Sequence, residues 1–534
     1  MVKRLLVTGL AITFLLGVCL IRVSYLSSNG IDMLAASDDQ STLKLTVART
    51  RGTIYDRALR PLTNAQTEIR AVITPQAESE TLRSALTEDV FAGVEANGQE
   101  GTPTIVRLPQ WLAPIDGVEQ FEVPCRYAER QSAAHVIGYT DSSGMEGVTG
   151  VEYACNRLLS EAGGELAVRY HVNGLGEIAE SAEPTVHSTV DAAKAGVALT
   201  LDADLQRLAE RCATMTRGAV VITDAQSAEI LALVSRPDYQ PTEVAAAMTA
   251  ADSPLLNRAI TDYNCGSVFK IVTVAAALEA GVPLSRAYTC TGKLTMGDTD
   301  FHCHHLLGHG RLTMTEAFAA SCNPYFIQLA QEIGAARLYD MAATLGFGRA
   351  IDLCEDWQTA RAVLPTLSTL LSSPAELANL SFGQGGLLAT PVHLAAVVGA
   401  VLADGEYASP TLLSGTVDAT GSLIARERGE TTRVFSAETA AALREMMVGV
   451  MTEGTGTAAQ PRWLAAAAKT GTAETGWYED GVEVIQNWMV GYYPTAEPRY
   501  AVTVLVENSE ASGENAASVF KALCEELYFF NLES

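Results

Sequence analysis

Asn264-Cys265-Gly266-Ser267-Val268-Phe269-Lys270 runs straight into the apolar segment Ile271 to Leu278, and how this stretch folds decides how the rest of the chain is read. Gly266 suits a tight entry turn, and Ser267 is placed to open a helix continuing through Val272, Val274, Ala275 and Leu278. Residues three apart on a helix share a face, so Ser267 and Lys270 set an amine beside a hydroxyl at the positive end of a helix dipole. A serine hydroxyl is a weak nucleophile until a base takes its proton. A lysine serves as that base only when desolvation or a second cation lowers its pKa. Alone, Ser-x-x-Lys is a common pattern, and a helix cap followed by a surface lysine is the better account of it.

Two segments further along shift that balance. Ser321-Cys322-Asn323 separates a helical stretch, Thr315 to Ala320, from Pro324, a residue suited to the first turn of a new helix. A turn between helices can aim both Ser321 and Asn323 into one cleft. Lys469-Thr470-Gly471-Thr472 then follows four alanines, Ala465 to Ala468. Ser-x-x-Lys, a Ser-x-Asn element and Lys-Thr-Gly, in that order, are the set shared by penicillin-binding proteins and class A β-lactamases. On these elements the chain resembles a class B penicillin-binding protein, a monofunctional peptidoglycan D,D-transpeptidase.

The resemblance runs over nearly the whole length. Arg51-Gly52-Thr53-Ile54-Tyr55-Asp56-Arg57 looks like the signature that opens the family's N-terminal pedestal domain. The family usually has a glycine two residues after that last arginine, where this chain has Leu59, which leaves the turn there open. Arg126-Tyr127, Ala134 to Tyr139, Gly150-Val151-Glu152 and Gly174 to Ala179 also resemble pedestal stretches. His135, alone in an apolar run, reads as a structural histidine, and Cys125 and Cys155 are a candidate pair.

Before any of this comes a basic head, Lys3-Arg4, and 17 residues without a charge, Leu5 to Ile21. That is the short end of a membrane span, extendable past a snorkelling Arg22 to Leu26. The flanking charges favour a cytoplasmic N-terminus with the remainder outside. A cleaved signal peptide is the rival, with Leu34-Ala35-Ala36 a poor cleavage site. The expected organisation is therefore a tip and transmembrane anchor over 1–26, a stalk over 27–47, a pedestal over 48–190 and a transpeptidase domain over 191–534.

In that last domain Val197 to Leu201 reads as a strand, Asp202 as the cap of a helix Leu205 to Ala213, and Gly218 to Thr223 with Glu229 to Ser235 as a hairpin of two central strands. Helices dominate Leu278 to Leu402. Strands return over Asn487 to Tyr493 and Tyr500 to Val506, before a helix from Ala516 to Tyr528. Strands at both ends with helices between imply an α+β fold, one antiparallel sheet flanked by helices, behind a β-rich pedestal and one transmembrane helix.

The formal net charge of -26 over 534 residues leaves no broad basic face, so nucleic acid is not an expected partner. Of ten cysteines, Cys19 lies in the apolar segment, and the nine others are an odd number. Cys290 and His302-Cys303-His304-His305 with His309 suggest zinc, yet the spacing fits no known finger or zincin and the reaction needs no metal. A Cys290–Cys303 disulfide is the expectation, with no metal and no cofactor. Cys265, standing where the family usually has proline, and Cys322 are expected near Ser267 as buried thiols or bonded to each other.

The resemblance implies roles. Ser267 is the acylated nucleophile, Lys270 its general base, Ser321 a proton relay, and Asn323 a substrate ligand that steadies the lysine. Lys469 supplies positive potential that lowers the pKa of Lys270 and attracts a terminal carboxylate. Thr470 and Thr472 offer that carboxylate hydroxyls, and Gly471 lets an extended peptide lie along a β edge. The N–H groups of Ser267 and Thr472 would form the oxyanion hole. Gly383-Gln384-Gly385 and Gly454-Thr455-Gly456-Thr457 are scaffold or gating loops, and Trp488 and Tyr492 belong to the core. The implied partners are stem peptides ending in D-Ala-D-Ala, β-lactam inhibitors, the lipid bilayer, and a membrane glycan polymerase of the elongation or division machinery. A carboxypeptidase or β-lactamase, and a non-catalytic sensor or scaffold, remain the alternatives.

Overall fold

A computed structural model describes residues 2–28, 42–77, 79–173, 177–178, 183–190, 194–479, 481–507 and 513–533. The chain forms two compact units. The first comprises Met1–Thr50, Thr67–Pro124 and Gly163–Ala192, and the second Arg51–Gln66, Cys125–Ala162 and Ala193–Ser534. The units therefore interleave along the sequence instead of dividing once near residue 190. Most of the expected stalk, residues 29–41, lies outside the described residues, as do four positions of the 174–179 stretch.

In the first unit a 27-residue helix spans Val2–Ser28, and its Thr8–Tyr25 window has a mean hydropathy of 1.7. At 1.5 Å per residue it is about 40 Å long, enough for a hydrocarbon core of about 30 Å. The unit also holds the helices Ser79–Ala85 and Glu88–Gln99 and two three-stranded sheets. One sets Gly164–His171 between Thr42–Thr50 and Thr185–Ser188, and the other sets Gln66–Ile73 between Thr104–Leu108 and Val118–Cys125.

The arginine-glycine signature belongs to the second unit, where Arg51 and Asp56 are buried while Arg57 is exposed. Arg51 is 1% exposed and Glu152 fully buried. Arg51 Nε and Arg126 Nε donate to the two Glu152 oxygens at 3.0 and 2.6 Å, and the Tyr127 hydroxyl adds a bond of 3.0 Å. Two arginines thus depend on one carboxylate. Glu152→Gln is expected to lower stability by about 3 kcal/mol, because it strands buried cations without a counter-charge. A urea titration followed by tryptophan fluorescence would measure it.

Leu59 settles the open turn. It takes the left-handed conformation, φ 59, while its N–H donates to Asp56 O at 3.0 Å and Asp56 Oδ1 accepts from Ala58 N and Arg60 N. The turn is retained, with a leucine held where glycine is easier. Leu59→Gly should therefore raise stability by about 0.5–1 kcal/mol, visible as a higher thermal midpoint.

The elements that carry the site are, in chain order, α1 (Ala203–Cys212), β1 (Gly218–Asp224), β2 (Ile230–Arg236), α2 (Lys270–Glu279), α3 (Met314–Ala319), α4 (Asn323–Ile333), α5 (Pro391–Leu402), α6 (Ala437–Thr452), β3 (Ala467–Glu479), β4 (Val482–Tyr493), β5 (Tyr500–Val506) and α7 (Ala516–Glu533). Asp202 caps α1 as expected, accepting from Asp204 N and Leu205 N. The five strands form one antiparallel sheet in the order β2-β1-β5-β4-β3. The β1–β2 hairpin forms, but only β1 is interior, since β2 ends the sheet. Its apolar run on both faces made it look central.

Side chains alternate across the strands. Val220, Ile222, Val502 and Val504 pack with Leu205 and Leu208 of α1 and Phe520 and Leu523 of α7. Ala219, Val221, Val490 and Leu505 face the opposite core, which includes α2, α5 and α6. Helices thus cover both faces of the sheet and leave β3 at its far margin.

Candidate active site

The turn that carries Ser267 is narrower than expected. Gly266–Phe269 is a 3-10 turn, and the α-helix begins only at Lys270. In a 3-10 turn side chains at i and i+3 eclipse, which brings Lys270 Nζ to 2.9 Å from Ser267 Oγ. Gly266 has φ +58, and a Cβ there would lie 2.6 Å from Thr472 O of β3. On the other side Gly266 N donates to Gly383 O at 2.8 Å, and a Cβ on Gly383 would come within 1.9 Å of Gly266 O. The Gly383-Gln384-Gly385 loop and β3 therefore grip the turn that carries Ser267.

The second element lies where α3 gives way to α4. Thr313 caps α3 in a reciprocal box with Glu316, and Pro324 sits in the first turn of α4. Between them Ser321 takes a left-handed conformation, φ 53. Lys270 Nζ is then 2.7 Å from Asn323 Oδ1, 2.7 Å from Ser321 O and 3.1 Å from Ser321 Oγ. Thr455 N donates to Ala319 O at 3.2 Å, and Gly454 presses on that same carbonyl, so the second glycine loop buttresses the end of α3.

The third element is on β3. Lys469 Nζ donates to Ser321 Oγ at 3.0 Å and to Thr470 O at 2.9 Å. Ser321 Oγ is thus shared by two amines. Thr470 and Thr472 are half-buried and exposed respectively, and Thr470 Oγ1 hydrogen-bonds Thr455 Oγ1. Gly471 has a different reason from the one expected. A Cβ there would meet Val268 Cγ1 at 3.0 Å, Trp488 Cβ at 3.1 Å and Cys265 O at 3.2 Å, so its bareness lets the strand lie against the turn that carries Ser267. Trp488 Nε1 donates to Asn264 O at 2.9 Å and the Tyr492 hydroxyl to Arg444 O at 3.2 Å, both as core residues.

Both lysines are fully buried. Burial lowers the Lys270 pKa to about 7, against a slight opposing pull from Cys322 and Cys303. Burial also holds Lys469 well below the ordinary lysine range, with the Lys270 charge as the second cause. Desolvation, more than the neighbouring cation, is what depresses Lys270. A neutral amine has two N–H donors and one lone pair. Asn323 Oδ1 and Ser321 O are pure acceptors and take the two hydrogens, which leaves the lone pair for the proton of a hydroxyl. Ser267 Oγ is within reach of it.

The cysteines depart from the expected pairings. There is no disulfide among the described residues. Cys155 Sγ lies 3.4 Å from Cys354 Sγ in the core, a neighbour that sequence spacing did not reveal, in place of Cys125. The Cys290–Cys303 bond is absent too, as is one between Cys265 and Cys322. Instead Cys290, Cys303, Cys322 and His309 bring their donor atoms within 4.8 Å of one another. Cys265, immediately before the Gly266–Phe269 turn, is buried, its thiol 3.9 Å from Tyr263 O.

Residues 218–525, more than half of the chain, match the family described as penicillin binding protein transpeptidase domain. Penicillin-binding protein PbpB of Mycolicibacterium smegmatis is 29% identical over 421 residues, covering 74% of this chain and 63% of that protein. Peptidoglycan D,D-transpeptidase FtsI of Escherichia coli is 26% identical over 558 aligned positions, 96% of this chain and 89% of that one. Among solved structures, the D,D-transpeptidase domain of a peptidoglycan glycosyltransferase from Eggerthella lenta superposes with a TM-score of 0.65 at 26% identity, covering 91% of this chain and 99% of that chain. The chain spans about three-fifths of the length of the first relatives it matches.

Proposed function

The chain belongs to the class B penicillin-binding proteins, and from that premise we propose that it is a serine D,D-transpeptidase crosslinking peptidoglycan stem peptides. Ser267 Oγ attacks the carbonyl between two terminal D-alanines as its proton passes to the neutral Lys270 amine. The tetrahedral oxyanion is held by the N–H groups of Ser267 and Thr472. Collapse of that intermediate breaks the C–N bond, and D-alanine leaves with a proton relayed through Ser321. An amine from a second stem peptide then attacks the ester, its proton returns through Lys270, and Ser267 is regenerated. Asn323 holds the amine and the donor peptide, Lys469, Thr470 and Thr472 take the terminal carboxylate, and β3 offers its unpaired edge to the donor backbone. A β-lactam presents a comparable amide and carboxylate and is expected to leave Ser267 acylated.

The observation that carries this reading is the 2.9 Å approach of a buried amine to the Ser267 hydroxyl. The test supplies a donor peptide ending in D-Ala-D-Ala with and without an acceptor amine. Released D-alanine matched by crosslinked product supports the proposal. Release matched by free acid, even at saturating acceptor, would make the protein a carboxypeptidase, and neither product would make it a sensor or scaffold. The Val2–Ser28 helix fits a single-pass anchor that leaves the catalytic unit on the extracytoplasmic face. A membrane glycan polymerase would supply the strands to be joined, and co-purification in detergent tests that association.

A further inference from the structure

We propose that Cys290, Cys303, His309 and Cys322 bind a structural zinc ion whose role is to clamp the Ser321-Cys322-Asn323 turn. The four donor atoms, spaced along the chain as Cys-x12-Cys-x5-His-x12-Cys, converge within 4.8 Å. With Zn–S about 2.3 Å and Zn–N about 2.0–2.1 Å, a tetrahedral site has sulfurs about 3.8 Å apart and sulfur about 3.5 Å from nitrogen. Cys303 Sγ is 3.4 Å from His309 Nδ1, so that edge of the tetrahedron is already formed.

The backbone around the donors is built for close approach. Cys290 ends the strand Ala287–Cys290, paired with Gly310–Thr313, and Cys303 follows the strand Thr299–His302, paired with Lys293–Met296. Cys303 N donates to Gly292 O at 2.9 Å. A Cβ on Gly308 would lie 2.4 Å from Cys290 O, and one on Gly292 would lie 2.0 Å from Leu306 O. The two turns are therefore pressed together by glycines. All three thiols are at least 98% buried, with Cys290 at 2%, Cys303 at 1% and Cys322 at 0% exposure.

A disulfide accounts for less. It would join two sulfurs at about 2.05 Å and leave the third thiol and the imidazole without a purpose. Three sulfurs and one nitrogen in a closed set suit zinc in a structural site, with no position left open for a substrate. Two short two-stranded ladders, one nested inside the other, are also marginal on their own. The mechanical consequence is specific, because Cys322 is the residue between the two that hold the Lys270 amine. The ion would anchor that turn from behind and touch no reacting atom.

The experiment uses the full chain purified in mild detergent without chelators or reductant. Metal analysis should find about one zinc per chain, falling below about a tenth in Cys290→Ser and His309→Ala. Cobalt exchanged into the wild type should give the thiolate charge-transfer and d–d bands of a tetrahedral site, a readout that stands even if the variants fail to fold. Stripping the zinc should slow acylation by a fluorescent penicillin, and restoring it should recover the rate. A wild type with neither zinc nor cobalt uptake would overturn the proposal. So would a disulfide mapped between any two of the three cysteines, or zinc retained in the Cys290→Ser/His309→Ala double variant. Metal content is read without reference to the reaction, so this proposal fails or stands separately from the transpeptidase reading.

Discussion

Ser267→Ala should abolish covalent labelling by a fluorescent penicillin and reduce peptide turnover at least about 10^4-fold. The size follows from the chemistry, since without the hydroxyl there is no oxygen to acylate and the two-step exchange has no first step. The change is small, and the hydrogen bond removed is to the Lys270 amine, which keeps Asn323 Oδ1 and Ser321 O. Circular dichroism and the thermal midpoint are therefore expected to match the wild type, so the loss would be chemical. Labelling of the variant at the wild-type level would assign the nucleophile elsewhere.

Lys270→Met should cost about 10^2- to 10^4-fold in the acylation rate, the span usual for a removed general base. It also strips donors from Asn323 Oδ1 and Ser321 O, which puts the expected loss toward the upper end. The pH profile separates the chemistry from the packing. Burial brings the Lys270 pKa down to about 7, and the reactive form is the neutral amine. That form is scarce below this value and dominant above it. Wild-type acylation should therefore rise with pH through about 7 and then level off, while the variant's residual rate stays flat. Stopped-flow acylation across this range makes the comparison, and a flat wild-type profile would remove Lys270 from the role of base.

The three candidate catalytic elements were legible because each is a short local pattern whose chemistry restricts residue types, and the geometry brings Ser267, Lys270, Ser321, Asn323 and Lys469 into one hydrogen-bonded cluster. Sheet and helix assignments followed apolar periodicity, which is why β1, β5, α1 and α7 were foreseen. Strand order was not, because β1 and β2 are equally apolar and pairing partners such as β5 lie hundreds of residues away. The reason for Gly471 was also hidden, since no spacing rule says which side of a strand a distant turn will press on. Cys265 and Cys322 are the buried thiols expected, but the neighbours of Cys155, Cys290 and Cys303 were misjudged for the same cause. Cys322 was read with the catalytic motif and Cys290, Cys303 and His309 as a separate group, and only the folded chain places them together.

Ser321 holds a conformation that a lone L-residue adopts at a cost of roughly 1 kcal/mol, and its carbonyl and hydroxyl are tied down by two amines. The joint between α3 and α4 is accordingly a loaded spring latched by Lys270 and Lys469. Changing a lysine does more than delete a charge, because it loosens the catch on Ser321.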